Sequence, residues 1–537
     1  MTWIRPYAWC DAGSEMGPDA AFAHPGDLAN YSGSSVHKSI GIVGGGIAGL
    51  VAAYELQRLG HDVTVFEADD RWGGRILTER FGNDDGPYAE LGAMRIPHGH
   101  RCVDYYVDSF GLESRHFVSE NNEGWLAFRG ARFRRRDWPS AAALFGATRG
   151  HRPILRDLEA SMGRPPDREM WGQAIGDWAR PELRALEGRG LGQLAQSTID
   201  DEVITASEWD WIGNLTGFRW IEDCSVLFWD NVGSLLDPAG RYELVGGMSK
   251  LTGAFIAKIE AAAPAADLRL ITTVSRVTLR DGKVLLTHSR GEDEFDYAIL
   301  AVPAPCAARL EFAPEVPADQ RDAWRSLYYF PIAKSVALFD RRFWEADDRI
   351  FGGSSVTDLP NQQVWYPSDN AEPMTDADTE HLQIRLATLF NSALSTAPAE
   401  PTDWKGRVPE ASERPGALIA GYMWGVNAQR FAALDEKGRD DLIEECLRRI
   451  HPDIPRPAAI AHRVWAQYLN PGGGGFAYFR PNEQRRFASL LCQPHPWVEN
   501  AEPRVFFAGE HDGIAQGWIQ GAIQSGLAAA ASVLSSP

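Results

Sequence analysis

Cysteine is scarce in this chain, with six in 537 residues, at positions 10, 102, 224, 306, 446 and 492, and no CxxC pair among them. That rules out a small disulfide-stapled scaffold; a reducing, cytoplasmic setting and no metal site are expected. No stretch supplies the roughly 20 uninterrupted apolar residues of a membrane helix. The opening segment MTWIRPYAWCDAGSEMGPDA lacks a basic region followed by an apolar one, so neither a secretory leader nor a membrane partner is expected. Positive charge is also short: 53 Lys and Arg face 73 Asp and Glu, for a net charge of -20. Such a surface disfavours a nucleic-acid backbone as partner. The one basic cluster, RGARFRRRDW at 129–138, has too little company to form a binding track and is expected to be a solvated face. Histidine is missing from residues 152–239, so a histidine base cannot come from that stretch.

What remains is an ordinary globular composition, 44% apolar and 23% charged, long enough for several domains or one interrupted domain. Nineteen tryptophans suggest aromatic-lined cores or pockets. The organisation sharpens at SIGIVGGGIAGLVAAYELQRLGHDVTVFEA, residues 39–68, which reads as strand, glycine turn, amphipathic helix and second strand. Gly44 permits the tight turn, Gly46 a close approach by a pyrophosphate, and Gly49 close packing of helix on strand. The helix N-terminus offers free N–H groups to phosphate. Glu67 ends the second strand, where a carboxylate can take ribose hydroxyls. Its charge disfavours NADP but leaves NAD and FAD both open. The following EADDRWGGRI adds a second glycine turn and Arg75, which could meet cofactor phosphates.

Arg95, in YAELGAMRIPHGH, stands among aliphatic and small residues. It is either a surface arginine whose stem covers apolar side chains or a fork waiting for a carboxylate. Lys334, in PIAKSVALF, stands alone on an apolar strand, where a charge is costly without a partner; it either serves chemistry or projects from an edge strand. In LNPGGGGFAYFRPNEQ the four glycines form either a mobile lip or a site of close backbone approach.

The run GIVGGGIAGLVAAYELQRLGHDVTVFEADDRWGGRI, followed by YAELGAMRIPHGHR, resembles the flavin amine oxidases and within them the L-amino acid oxidase branch. VFFAGEHDGIAQGWIQGAIQSGLAAA, at 505–530, is similar to the second flavin-binding stretch of the same family. The resemblance implies an α/β protein: a discontinuous Rossmann-like FAD-binding domain, an α+β substrate domain and a largely helical excursion. The implied divisions are an N-terminal extension, 1–35, packing on the substrate domain; FAD-binding parts at 36–100, 240–324 and 461–537; the helical region, 101–239; and the substrate domain, 325–460. It implies FAD contacts at Gly44, Gly46, Ala48, Gly49, Glu67, Ala68, Gly74 and Arg75, and along the turn Gly92, Ala93, Met94 and Arg95. Val274 would meet the adenine end through its backbone, while Gly509, Glu510, Gly517, Trp518 and Ile519 complete the set. Glu510 is expected to act through hydroxyls, water or backbone amides.

The implied reaction oxidises an L-amino acid with dioxygen and water to 2-oxo acid, ammonia and hydrogen peroxide, by hydride transfer to flavin N5. Arg95 would hold the carboxylate by its planar fork, with Tyr366 sharing that role. Lys334 would hold a water near N5, Trp518 would wall the pocket beside the amino group with Gly517 admitting the ring, and Trp424 would form a second wall. Trp365 is the weaker candidate beside Tyr366, because alternate strand residues face opposite ways. Ala93 stands where many relatives carry proline, which should loosen that turn. His98 and His100 lie near Arg95 but are not assigned as a base. A homodimer is expected from the resemblance alone. The alternatives are an L-amino acid 2-monooxygenase yielding an amide, a non-catalytic flavin-binding redox module, and an oxidase of simple amines, which would not need Arg95.

Overall fold

Five short strands pair side by side, all parallel, in the order Asp267–Arg269, Asp62–Phe66, Ser39–Val43, Tyr297–Leu300 and Val505–Phe507. The sheet draws on segments hundreds of residues apart, so the chain leaves it and returns twice. These positions belong to a computed structural model that describes residue 28 and residues 36–161, 188–226, 240–263, 265–374, 401–467, 472–497, 501–513 and 515–537. Apart from Leu28, the expected 1–35 extension lies outside the described residues.

The four strands other than the Asp267–Arg269 edge are covered on both faces, which accounts for their mainly apolar character. On one face the helices Ile47–Arg58, Ser249–Ala261 and Ile519–Ser535 share a core with Ile40, Ile42, Val63 and Val65. The last helix is rich in alanine and glycine because it lies tight against the first: a Cβ on Gly526 would come within 2.3 Å of the Ala48 carbonyl oxygen. The other face is covered by a four-stranded sheet, Gly291–Phe295, Lys283–His288, Val274–Arg280 and Glu311–Ala313, through Val277, Val284, Leu286 and Phe295.

A second sheet of seven strands runs in the order Ala459–Val464, Ile332–Phe339, Gly416–Trp424, Gln363–Trp365, Ser354–Thr357, Trp125–Phe128 and Ala131–Arg134. Its edge hairpin comes from within 101–239, a region that otherwise supplies the helices His151–Ser161, Leu191–Asp200 and Ala206–Thr216. The basic cluster lies on this hairpin and is solvated in part: Arg129, Arg132 and Arg136 are exposed, while Arg134 is half-buried. Arg132 and Arg134 place their guanidinium groups 4.0 and 3.5 Å from the Trp125 ring centroid, and Arg134 pairs with Asp348 at 2.9 Å. Cation–π contact and ion pairing stabilise charge at an edge that composition alone assigns to water. Three of the four glycines follow the close-approach reading: a Cβ on Gly472 would meet Pro303 at 2.6 Å, one on Gly474 the Phe330 carbonyl at 2.8 Å and one on Gly475 Ile332 at 2.5 Å, while Gly473 has space around it.

Candidate active site

A cavity of about 500 Å³ opens at the carboxyl ends of the Ser39–Val43 and Asp62–Phe66 strands, where ligands of open parallel sheets bind. Gly44 turns the chain at φ +111°, and a Cβ there would lie 2.4 Å from the Ala301 carbonyl oxygen. A Cβ on Gly49 would lie 2.0 Å from the Gly44 oxygen, so that glycine sets helix packing and is not in the cavity wall. The Ile47–Arg58 helix starts with no side-chain cap and no acid in its first turn. Its Ile47 and Ala48 line the cavity, which leaves a helix N-terminus open to an anion. Glu67 is fixed at the strand end by the amides of Gly45 at 2.7 Å and Asp69 at 2.8 Å. Burial raises its pKa against the pull of those two amides.

The other expected cofactor residues that line the same cavity are Gly46, Ala68, Gly74, Arg75, Gly92, Ala93, Val274, Gly509, Glu510, Gly517, Trp518 and Ile519. Segments from the start, middle and end of the chain thus converge on one space. Arg75 is not left to phosphate alone: its Nη1 donates to Glu510 Oε2 at 2.9 Å. Burial works against the Arg75 charge, and Glu510 outweighs it. Glu510 also accepts from the amides of Ala477 at 3.1 Å and Gly517 at 2.6 Å, which holds the carboxylate in place beside the cavity. The two glycine turns interlock. A Cβ on Gly92 would sit 2.2 Å from the Arg75 carbonyl oxygen, and the Ala93 amide donates to that oxygen at 3.1 Å. A proline at 93 could not make this bond, so alanine here fastens the turn to its neighbour instead of loosening it.

Lys334 lies on an interior strand, not an edge, and is only 2% exposed. Its Nζ donates to the Gly92 carbonyl at 2.7 Å, lies 3.4 Å from Met94 Sδ, and sits 4.5 Å from the Tyr422 ring centroid. Burial lowers its pKa, Glu90 opposes that shift and Arg95 adds to it. Met94 is buried behind the wall as the partner of Lys334 rather than in the cavity lining. Arg95, just outside the lining, presents its guanidinium 4.9 Å from the Trp365 ring centroid and 5.7 Å from that of Phe117. Its charge reaches both Lys334 and Tyr422. A cationic fork, a buried lysine and a tyrosine therefore converge, with Lys334 and Tyr422 in the cavity wall.

Tyr366 is a correction. It points to the opposite side of the sheet, where its hydroxyl bonds Ser355 Oγ and His451 Nε2, both at 2.7 Å. His451 Nδ1 is in turn 2.5 Å from Asp348. Alternation along the strand puts Trp365 on the Arg95 side and Tyr366 in the core behind, the reverse of the expected pair. Trp424 is also displaced: it packs edge-on against Tyr422 at 5.5 Å and Phe476 at 6.4 Å, behind two cavity residues and not in the lining. Trp518 packs edge-on against His100 at 5.4 Å. Burial pushes the His100 imidazole down to about 4. Neither His98 nor His100 lines the cavity. Sequence reasoning missed Arg71, Tyr422, Trp465 and Phe476 in the lining. Trp465 Nε1 donates to the Leu91 carbonyl at 2.9 Å and so braces the turn that carries Arg95. Tyr422 faces Lys334 across the strand pair, a relation that only register reveals.

A two-sheet protein with a parallel nucleotide-type sheet, an open helix N-terminus and a lysine at the far wall of the cleft has the build of a flavin-dependent oxidoreductase. Over residues 47–534 the chain matches the flavin-containing amine oxidoreductases, and it belongs to that family. It is similar to the L-amino acid oxidase Bs29 of Bothriechis schlegelii, 28% identical over 92% of this chain and 90% of that one. It is 29% identical to the L-amino-acid oxidase of Protobothrops flavoviridis, over 92% of this chain and 88% of that protein. Among solved structures, a double mutant of putrescine oxidase redesigned in its cofactor binding aligns with a TM-score of 0.67 at 19% identity, covering 93% of this chain and 99% of that one. Cyclohexylamine oxidase from Brevibacterium oxydans IH-35A aligns at 0.64 and 20% identity, covering 93% and 99%. Those two establish the shared fold. Among the described residues no helix is long and apolar enough to cross a membrane.

Proposed function

We propose that the chain is an FAD-dependent L-amino acid oxidase, forming 2-oxo acid, ammonia and hydrogen peroxide from an L-amino acid, dioxygen and water. The observation that carries this reading is Arg95, its guanidinium set against Trp365 and Phe117 beside the cavity residues Lys334 and Tyr422. Guanidinium matches carboxylate in two parallel hydrogen bonds, which fixes the angle of the substrate as well as its distance. The aromatic rings hold the plane of the fork before the substrate arrives, and orientation of that kind is a large part of catalysis in cofactor enzymes.

FAD suits the cleft's chemistry: the uncapped helix N-terminus can meet the pyrophosphate and Glu67 the ribose hydroxyls. When bound, the flavin accepts the electrons of the substrate Cα–H bond and passes them to dioxygen. Lys334 supplies a buried amine held by the Gly92 carbonyl and Met94. Trp518 and Phe476 line the cavity and exclude water there. The substrate enters with its amine neutral or gives up that proton to solvent. Arg95 and Lys334 together repel a diamine, which favours an amino acid over a simple amine. Cytoplasmic residence and a homodimer belong to the same reading, from the dispersed cysteines and the family resemblance.

The test is a screen of both enantiomers of the amino acids with peroxide detection, on protein checked for FAD released by denaturation. Peroxide with L-amino acids and one 2-oxo acid per turnover is the expected result. An amide product moves the monooxygenase forward, and protein that binds no flavin ends the reading.

A further inference from the structure

We propose that Gln363 is a positioning residue for the substrate carboxylate: its amide oxygen holds the Trp365 ring in the orientation that sets the plane of the Arg95 fork. The proposal rests on the oxidase reading and adds a residue to it. The strand Gln363–Trp365 puts its first and last side chains on one face, with Val364 in the core on the other. On that face the Trp365 indole Nε1 donates to Gln363 Oε1 at 2.9 Å. An indole N–H only donates, so the amide turns its oxygen to the ring and its nitrogen away. The nitrogen faces Gly217, where a Cβ would come within 3.7 Å of Nε2, and a separate cavity of about 250 Å³ whose wall also includes Trp220, Trp424 and Asn427. Only the oxygen end of the amide therefore bears on the fork.

Trp365 is half-buried and packs against Phe117, with ring centroids 5.5 Å apart and planes inclined at 37°. The Arg95 guanidinium lies 4.9 Å from the Trp365 centroid and 5.7 Å from that of Phe117. Ring faces thus hold the fork, and a ring face has a fixed direction only if the ring cannot turn about its Cβ–Cγ bond. Phe117 restrains the apolar part of the indole, and the bond to Gln363 restrains its polar edge. Such a bond is not general among the buried indoles: those of Trp211 and Trp344 have no acceptor. The chain before Gln363 fixes the amide in turn. Gln362 takes a left-handed φ of +55°, its side-chain oxygen accepts from the Trp424 amide, and its carbonyl accepts from the Thr357 amide at 2.8 Å. Gln363 itself pairs with Val356 across the sheet. A non-glycine residue at positive φ costs energy and persists where its surroundings over-determine it, here at the point that sets the phase of the strand.

The test titrates flavin-loaded protein with benzoate, a carboxylate with no amine to oxidise, and with benzamide as its uncharged match, both followed in the flavin absorption bands. Native protein should bind benzoate well ahead of benzamide. Gln363→Leu removes the acceptor at similar volume, and Kd for benzoate should rise roughly 3- to 10-fold, the scale of one neutral side-chain hydrogen bond, with benzamide unaffected. KM for the amino acid should rise by the same factor while kcat stays within about twofold. Gln363→Glu keeps an acceptor oxygen and should return both constants to within about twofold of native. Trp365→Phe keeps an aromatic face but has no N–H to give, so Gln363→Leu made in that background should add nothing. If Gln363→Leu loses flavin, Trp365→Phe carries the test from the donor side, with the same rise in Kd and no response to Gln363→Glu. Benzoate affinity unmoved by Gln363→Leu, a loss that Gln363→Glu does not restore, or full additivity with Trp365→Phe overturns the proposal. Failure of every amino acid to reduce the flavin, with benzoate still bound through Arg95, would instead overturn the oxidase reading alone, and native protein blind to the difference between benzoate and benzamide would overturn both.

Discussion

Replacing Tyr366 with phenylalanine should destabilise the protein while leaving carboxylate recognition as it was. The hydroxyl is buried between Ser355 Oγ and His451 Nε2, each at 2.7 Å, and His451 is tied to Asp348 at 2.5 Å. Ser355 keeps a second partner, the Trp125 amide at 2.8 Å, but His451 Nε2 loses the one it has. One buried polar group left without a partner costs about 1–3 kcal/mol. A urea titration should therefore show an earlier midpoint with an unchanged slope. KM for the amino acid should stay within about twofold, since the ring that faces Arg95 is that of Trp365. A KM raised by roughly tenfold or more, about 1.4 kcal/mol, with stability unaltered, would refute the orientation of this strand and return Tyr366 to the substrate.

Lys334→Met keeps the side chain's shape and removes its charge; stopped-flow traces should show slower flavin reduction or reoxidation with little change in substrate affinity, and unaltered rates in both would make the lysine structural. Trp365→Leu removes the ring 4.9 Å from the Arg95 guanidinium, and the loss of about 0.5–2 kcal/mol of cation–π stabilisation should lower kcat/KM roughly 2- to 30-fold; an unchanged value would separate the ring from the fork. Asp348 is held below the usual carboxylate range: burial opposes this, and the His451 hydrogen bond with the Arg134 charge outweighs it. A carboxylate depressed in the folded state adds stability above its unfolded value, about 3.9, that is lost as pH falls through the lower folded value. Denaturation midpoints from pH 6 downward should drop less steeply in Asp348→Asn; an identical slope would remove Asp348 from the acid response.

The local parts of this architecture were legible because their physics is local. The Gly44–Gly46–Gly49 turn, the helix after it and Glu67 lie within one short segment, and each residue type there has a geometric reason that needs no distant neighbour. The return of the chain at Tyr297–Leu300 and Val505–Phe507 was legible only through the likeness of those segments to a known family, since apolar runs of this length carry no address. The phase of VWYPS was not legible. One residue of slip exchanges Trp365 for Tyr366, and what fixes the phase is the pairing of Trp365 with Ser354 and Ile419 on other strands. Tyr422 escaped for the same reason, because what brings it to Lys334 is cross-strand register. The basic hairpin was legible in part: Arg129, Arg132 and Arg136 are exposed as charge alone suggests, while Arg134 turns in toward Trp125 and Asp348.

Whether Arg95 anchors a carboxylate is the central claim, and kcat/KM for an L-amino acid and its matched amide, in native protein and in Arg95→Lys, tests it most directly. Native protein should turn over the acid and leave the amide nearly untouched. The lysine variant, with FAD still bound, should lose roughly 2–5 kcal/mol of transition-state stabilisation on the acid, the scale for breaking a desolvated charge pair. If the amide is oxidised as well as the acid, and the variant keeps full activity, Arg95 does not hold a carboxylate and the chain is an oxidase of simple amines.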